Sequence, residues 1–195
     1  MYNNKITKTM KKILIVSGHP DMNDSFANKT ILEETKKLLP EAEFVYLDRL
    51  YPDFRIDTKA EQERLLRADI IVLQYPLFWY SAPSLLHRWI ELTFTHGFSH
   101  GSTGDKLKGK QLVLSFTSGA PEEMYSYDGP QHYPIDDFLP AYKQMANLCG
   151  LKWCGYIYSG GLSYASRHDA AELARMKEKA IRHAHLLVEK LKGLE

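Results

Sequence analysis

Four aliphatic residues in a row, Ile70-Ile71-Val72-Leu73, run straight into Gln74-Tyr75-Pro76. A short apolar run without polar alternation reads as a strand covered on both faces, the signature of a parallel sheet. The carboxyl ends of such strands are where open α/β sheets bind ligands. Here that end carries Phe78, Trp79 and Tyr80 in a loop pinned between Pro76 and Pro83, with an amphipathic helix behind it. The loop offers flat apolar surface and backbone donors together, which suits a flat heteroaromatic ligand.

Strand-like and helix-like segments alternate along the rest of the chain. Strands are expected at Lys12–Ser17, Glu43–Leu47, Ile70–Gln74, Gln111–Phe116 and Lys152–Tyr158. Helices are expected at Ser25–Leu39, Thr58–Ala68, Ser84–Thr95, Asp136–Cys149 and His168–Leu191. Such alternation implies right-handed βαβ units and a mostly parallel sheet with helices on both faces. Five strands match the α/β, flavodoxin-like order 2-1-3-4-5; the rival six-stranded dinucleotide fold lacks its last strand. The Gly/Ser-rich stretch 97–109 is the one long loop, and loops of that length are usually functional or mobile.

A chain of 195 residues holds one such domain, expected over residues 12–195, behind a flexible extension at 1–11. Lys plus Arg is 25 against 24 for Asp plus Glu, a net charge of +1, which argues against a nucleic-acid footprint or a polybasic membrane surface. No apolar run approaches the roughly 20 residues that cross a bilayer, and the basic N-terminus lacks a signal peptide's apolar core and cleavage site. Cys149 and Cys154 form neither a disulfide framework nor a metal motif, and both read as buried thiols. A cytoplasmic protein without a metal centre fits these features.

In a doubly wound sheet the loops after the first, third and fourth strands share one rim. The first loop, 17–28, has no G-x-G-x-x-G pattern, against a dinucleotide held by a glycine fingerprint. It places His19 ahead of a helix start with Ser25 at the cap and Asn28 one turn on, a natural phosphate site of unpaired amides and dipole. The plainer alternative is that Ser25 only caps the helix. The third loop is too aromatic to be solvated, so it faces a ligand, a second subunit, or both. In the fourth, Thr117-Ser118-Gly119-Ala120, small residues let backbone amides approach a ligand closely, and amides aimed at a ring carbonyl would stabilise an anionic reduced flavin. Tyr125 adds a hydroxyl nearby.

These pieces together resemble the NAD(P)H:quinone oxidoreductases of the DT-diaphorase type. The resemblance rests on His19 with Ser25-Phe26-Ala27-Asn28, on Tyr75-Pro76-Leu77-Phe78-Trp79-Tyr80, on Leu85–Phe94, and on Thr117–Ala120 with Met124-Tyr125. Segment 50–63 is similar to a short bacterial branch that includes ancillary subunits of glutathione-gated potassium efflux systems. The resemblance implies that His19, Ser25, Phe26, Ala27 and Asn28 hold a flavin's phosphate end. It implies that Pro76, Leu77, Phe78, Trp79 and Tyr80 lie beside the isoalloxazine, with Thr117, Ser118, Gly119 and Ala120 at the pyrimidine edge. Tyr125 matches a tyrosine that balances charge during hydride transfer, and His132 lies one position from the family's catalytic histidine. Phe78 stands where a polar residue is frequent, and Ala120-Pro121 replaces part of a glycine pair.

The implied activity is a two-electron, ping-pong transfer from NAD(P)H through bound FMN or FAD to a quinone or similar flat acceptor. A homodimer is implied, with the partner completing each pocket. The alternative is a regulatory flavoprotein docked on a membrane potassium efflux transporter. A one-electron carrier of the flavodoxin kind fits less well, since such carriers are strongly acidic.

Overall fold

A computed structural model describes residues 10–194. Most of the expected extension, residues 1–9, lies outside the described residues; Lys11 is tied to the body through Nζ, which donates to Gln111 Oε1 at 3.0 Å and to the Leu194 carbonyl. Chain order runs β1 (Ile13–Ser17), α1 (Ala27–Leu38), β2 (Glu43–Tyr46), α2 (Leu47–Leu50), α3 (Thr58–Arg67), β3 (Ile70–Pro76), α4 (Ser84–Thr93), β4 (Gln111–Thr117), α5 (Pro140–Leu148), β5 (Lys152–Ser159) and α6 (Ala170–Lys192). The five strands are parallel, in the order β2-β1-β3-β4-β5. That is the flavodoxin-like arrangement expected from the alternation.

Side chains alternate across a strand, so each strand of this sheet feeds two cores. Ile13, Ile15, Ile70, Val72 and Val113 pack with Leu32, Leu187 and Leu191 under α1 and α6. Leu14, Val16, Ile71, Leu73, Leu112 and Leu114 face the other way, onto Leu65, Leu86, Trp89 and Tyr142. Ile31, Ala180 and Ala184 lock α1 to α6.

Boundaries differ from expectation where local chemistry overrides periodicity. The expected helix 136–149 is split into a 3-10 turn, Ile135–Phe138, and α5, because Pro140 has no N–H to give the preceding turn and sits instead at a helix start. Helix α6 begins later than expected, at Ala170, capped by Asp169, whose carboxylate accepts the amides of Ala171 and Glu172 (both 2.9 Å). Loop 97–109 does not reach the carboxyl rim. Leu107 and Ser99 are buried, Lys106 N bonds Phe98 O (3.0 Å) and Gly109 N bonds Gly150 O (2.8 Å), so the loop has a packing role. Of the two thiols only Cys149 is buried; Cys154 is half-exposed, because β5 is an edge strand.

Candidate functional site

At the carboxyl ends of β1, β3 and β4 the chain leaves an open cleft of about 230 Å³. All three expected loops meet in it. The first contributes His19, Ser25, Phe26, Ala27 and Asn28; the third Pro76, Leu77 and Phe78; the fourth Thr117, Ser118 and Gly119. A second hollow continues from it over Leu77, Ser118 and Gly119, and is lined further by Trp79, Tyr80, Ala120, Tyr125 and Gln131. The two share Leu77, Ser118 and Gly119 and make one trough; its α1 end, called the polar end for the first-turn amides with His19, Asp24 and Asn28, lies opposite an aromatic end with Trp79, Tyr80 and Tyr125.

The polar end is built by α1. The helix starts two residues later than expected, at Ala27, and Phe26 precedes it without a side-chain cap. Ser25 is therefore not its formal cap, yet its Oγ accepts the Lys29 amide (3.3 Å), and Thr30 N bonds Phe26 O (3.0 Å). The earlier first-turn amides have no intrahelical acceptor by construction and have the helix dipole behind them, which suits an anion. Burial is the main influence on His19 and holds its imidazole below the usual pKa, favouring the neutral ring. Its Nδ1 accepts the Asp21 amide at 3.1 Å.

The aromatic end is irregular backbone. Trp79 and Tyr80 have φ of +49° and +64°, left-handed values that bulky side chains rarely adopt. The turn is closed by reciprocal bonds between Phe78 and Ser81 (2.8 and 3.0 Å). Trp79 is 94% exposed, with Phe78 and Tyr80 about half exposed, whereas Tyr75 belongs to the core and stacks on Phe116 at 5.4 Å. Tyr125 is held edge-on by Phe138 (6.2 Å) and Tyr158 (6.1 Å). His132 is exposed at φ +61° and does not line the trough; its neighbour Gln131 does, accepting from Tyr80 Oη (3.1 Å).

Small residues shape the floor. Ala120 O accepts both Ser118 Oγ (2.8 Å) and Gly161 N (2.8 Å), which folds the fourth loop back on the chain after β5. A Cβ on Gly160 would lie 2.7 Å from Tyr158 Oη and 2.8 Å from both Ala120 O and Glu122 N, so only glycine fits there.

Sequence reasoning missed two parts of the site. The first is a strap, Tyr164–His168, closing over the polar end. Tyr164 Oη and Arg167 Nη1 each donate to Asp24 at 2.8 Å, and the Arg167 guanidinium stacks 3.6 Å from the Tyr164 ring centroid. The Tyr164 hydrogen bond is the main reason the Asp24 carboxyl sits below its usual pKa. These groups lie some 140 residues apart, and no short-range pattern pairs them. The second is a polar row. Ser17, Gln74 and Ser115 are in register across three strands, on the face where Ile15, Val72 and Val113 precede them, and all are buried. A polar residue at the next apolar position of three strands is a signal the sequence does carry. Among the described residues no cluster of three or more His, Cys, Asp or Glu side chains could hold a metal ion, and no helix is long and apolar enough to cross a membrane.

The family characterised by a flavodoxin-like fold matches residues 11–184. General stress protein 14 of Bacillus subtilis (strain 168) is 37% identical over 164 residues, 84% of this chain and 93% of that one. The glutathione-regulated potassium-efflux system ancillary protein KefF of Enterobacter sp. (strain 638) is 42% identical over 141 residues, covering 72% and 78%. Among solved structures, general stress protein 14 of Treponema denticola in complex with FMN superposes with a TM-score of 0.81 at 26% identity, covering 92% and 99%. On this evidence the chain belongs to the flavodoxin-like family, beside the potassium-efflux ancillary proteins and general stress protein 14.

Proposed function

We propose that this protein is a cytoplasmic flavin-dependent NAD(P)H oxidoreductase that reduces a quinone or similar flat acceptor by two electrons, with FMN preferred over FAD. The observation that carries the reading is the trough's layout: the start of α1 lies at one end, the aromatic side chains Trp79, Tyr80 and Tyr125 at the other, and Leu77, Ser118 and Gly119 line both. The residues fit such a nucleotide. First-turn amides of α1 with Ser25 and Asn28 match a phosphate, Leu77 and Phe78 offer an apolar wall, and Gly119 keeps the floor low enough for a flat ring. The likeness to an FMN complex supports the same choice.

A flavin held there would supply the hydride chemistry between nicotinamide and acceptor. The chain's own residues bind, orient and balance charge. Amides of Gly119 and Ala120 serve as donors at the ring's carbonyl edge, where negative charge develops. Tyr125, fixed edge-on by two aromatics, would hold a proton at Oη beside the acceptor; His132 faces solvent outside the trough, so any part it takes is secondary to Tyr125. Phe78, Trp79 and Tyr80 exclude water from the ring, and their exposed faces suit a second copy of the chain in a homodimer.

A second reading, a regulatory flavoprotein docked on a potassium efflux transporter, is favoured by the 42% identity to an efflux ancillary protein. Purified protein should be yellow and release flavin on denaturation. Anaerobic NADH or NADPH should bleach it, and a quinone should restore the colour. Bound flavin that neither nucleotide bleaches would move the weight to the regulatory reading, and failure to take up FMN or FAD would sink both.

A further inference from the structure

Behind the polar end of the trough a continuous line of buried hydrogen bonds crosses the sheet from α6 to α1. Ser159 Oγ meets His183 Nδ1 at 2.9 Å, and His183 Nε2 meets Ser115 Oγ at 2.7 Å. Ser115 Oγ donates to Gln74 Oε1, Gln74 Nε2 donates to Asn28 Oδ1 (2.7 Å), and Asn28 Nδ2 donates to Thr117 Oγ1 (3.1 Å). All six side chains are buried, and only the last two line the trough.

With the Gln74 and Asn28 amides oriented as in these bonds, the line has one direction. Ser115 carries a single hydroxyl proton, and Gln74 Oε1 receives it. Ser115 therefore has none for His183, so His183 must donate from Nε2 and accept from Ser159 at Nδ1. Burial keeps this imidazole neutral, its pKa pushed down to about 3, so it provides one donor and one acceptor. Each group thus receives a proton from behind and offers one forward. The line leaves the Thr117 hydroxyl proton and the second Asn28 N–H without an acceptor, and its bond to Asn28 sets Thr117 at the α1 end of the trough instead of at the pyrimidine edge that the resemblance implies.

We propose that His183, Ser115 and Gln74 form a polarity lock, a set of positioning residues that fixes Asn28 and Thr117 as donors and so selects a ligand with a phosphate-bearing tail. This rests on the flavin-nucleotide reading. Without Ser115 nothing holds Gln74 Oε1 in place. The Gln74 amide can then reverse and take Asn28 Nδ2 as its donor, so that Asn28 Oδ1 accepts the Thr117 proton. The trough would then meet a phosphate with oxygen lone pairs where donors stood, a repulsive arrangement for an anion.

The test uses the full-length protein. Ser115→Ala and Gln74→Met should weaken FMN binding about tenfold, equivalent to about 1.4 kcal/mol, and leave riboflavin, which lacks the phosphate, within about threefold of wild type. His183→Gln, which keeps an N–H toward Ser115 and an acceptor toward Ser159, should retain the wild-type ratio of FMN to riboflavin affinity. In the flavin-free wild type, ¹⁵N spectra of the imidazole should show hydrogen on Nε2 and a bare Nδ1. Hydrogen on Nδ1, or folded Ser115→Ala and Gln74→Met proteins with the wild-type ratio, would overturn the lock while leaving the flavin reading intact. A wild type that binds neither FMN nor riboflavin would instead overturn the flavin reading, and the lock's role with it.

Discussion

Asn28 is the side chain on which the polar end turns, because it receives from Gln74 and gives to Thr117 while facing the trough. Asn28→Asp replaces its donors with acceptors and adds negative charge beside a phosphate. Losing a hydrogen bond to a charged group costs roughly 1.5–3 kcal/mol, so FMN affinity measured by fluorescence quenching should fall at least tenfold. Tyr125→Phe removes the proposed proton at the aromatic end with little change in shape. Quinone-dependent kcat should drop roughly a hundredfold, the low end of general acid–base effects, with flavin content unchanged; His132→Gln should cost less. Single residues also carry the acid sensitivity. His183 has its folded pKa depressed to about 3, and that of His19 is lowered by burial too. Between that value and the ordinary one, the unfolded chain binds a proton that native His183 refuses. Its contribution is therefore complete above about pH 6.5 and is lost as pH falls, by up to about 1.4 kcal/mol per pH unit. Urea midpoints at pH 6.5 and 5 should show a clear loss for the wild type, and one smaller by on the order of 1–2 kcal/mol for His183→Gln.

At the scale of elements, α2, α3 and α4 are joined by one buried carboxylate. Glu61 is fully buried, taking Tyr51 Oη (2.8 Å), Trp89 Nε1 (2.9 Å) and Arg64 Nε (3.1 Å). Trp89→Phe keeps most of the apolar volume but leaves Glu61 Oε2 short of a donor. Stability in urea should fall by about 2 kcal/mol, the cost of an unsatisfied buried group plus lost packing. Glu61 also marks the limit of reading elements from a sequence. In T-K-A-E-Q-E-R-L-L-R it looks like one more solvated charge, and only the arrival of Trp89 from another helix makes it a core residue. The strands were legible for the opposite reason. A sheet covered on both faces must be written in unbroken apolar runs, and 13–16, 70–73 and 112–114 obey that rule. The three loops of the trough were legible because strand order alone puts them on one rim. The strap at Tyr164–His168 was not, since it depends on Asp24 meeting Arg167 in space. The polar row was written at Ser17, Gln74 and Ser115, but each residue read alone looks like a strand end.

For the whole molecule, the proposed homodimer would rest on exposed aromatics at and near the trough's aromatic end. Phe78, Trp79, Tyr80, Tyr127 and Tyr133 all face solvent in the single chain. Sedimentation should give twice the 22.5 kDa chain mass, and Trp79→Asp should shift the protein toward monomer. The same variant tests whether the left-handed turn at Trp79 is maintained by that contact. The α1–α6 seam adds a constraint of another kind. The three trough loops lie in the first two thirds of the chain, but His183, behind Asn28, is supplied by the last helix. During synthesis, a chain still lacking that helix presents the whole rim with Ser115 and Gln74 unsupported and the α1 face bare. If the lock holds, the rim reaches its ligand-binding form only once the helix carrying His183 has packed on α1, however early the loops themselves are made.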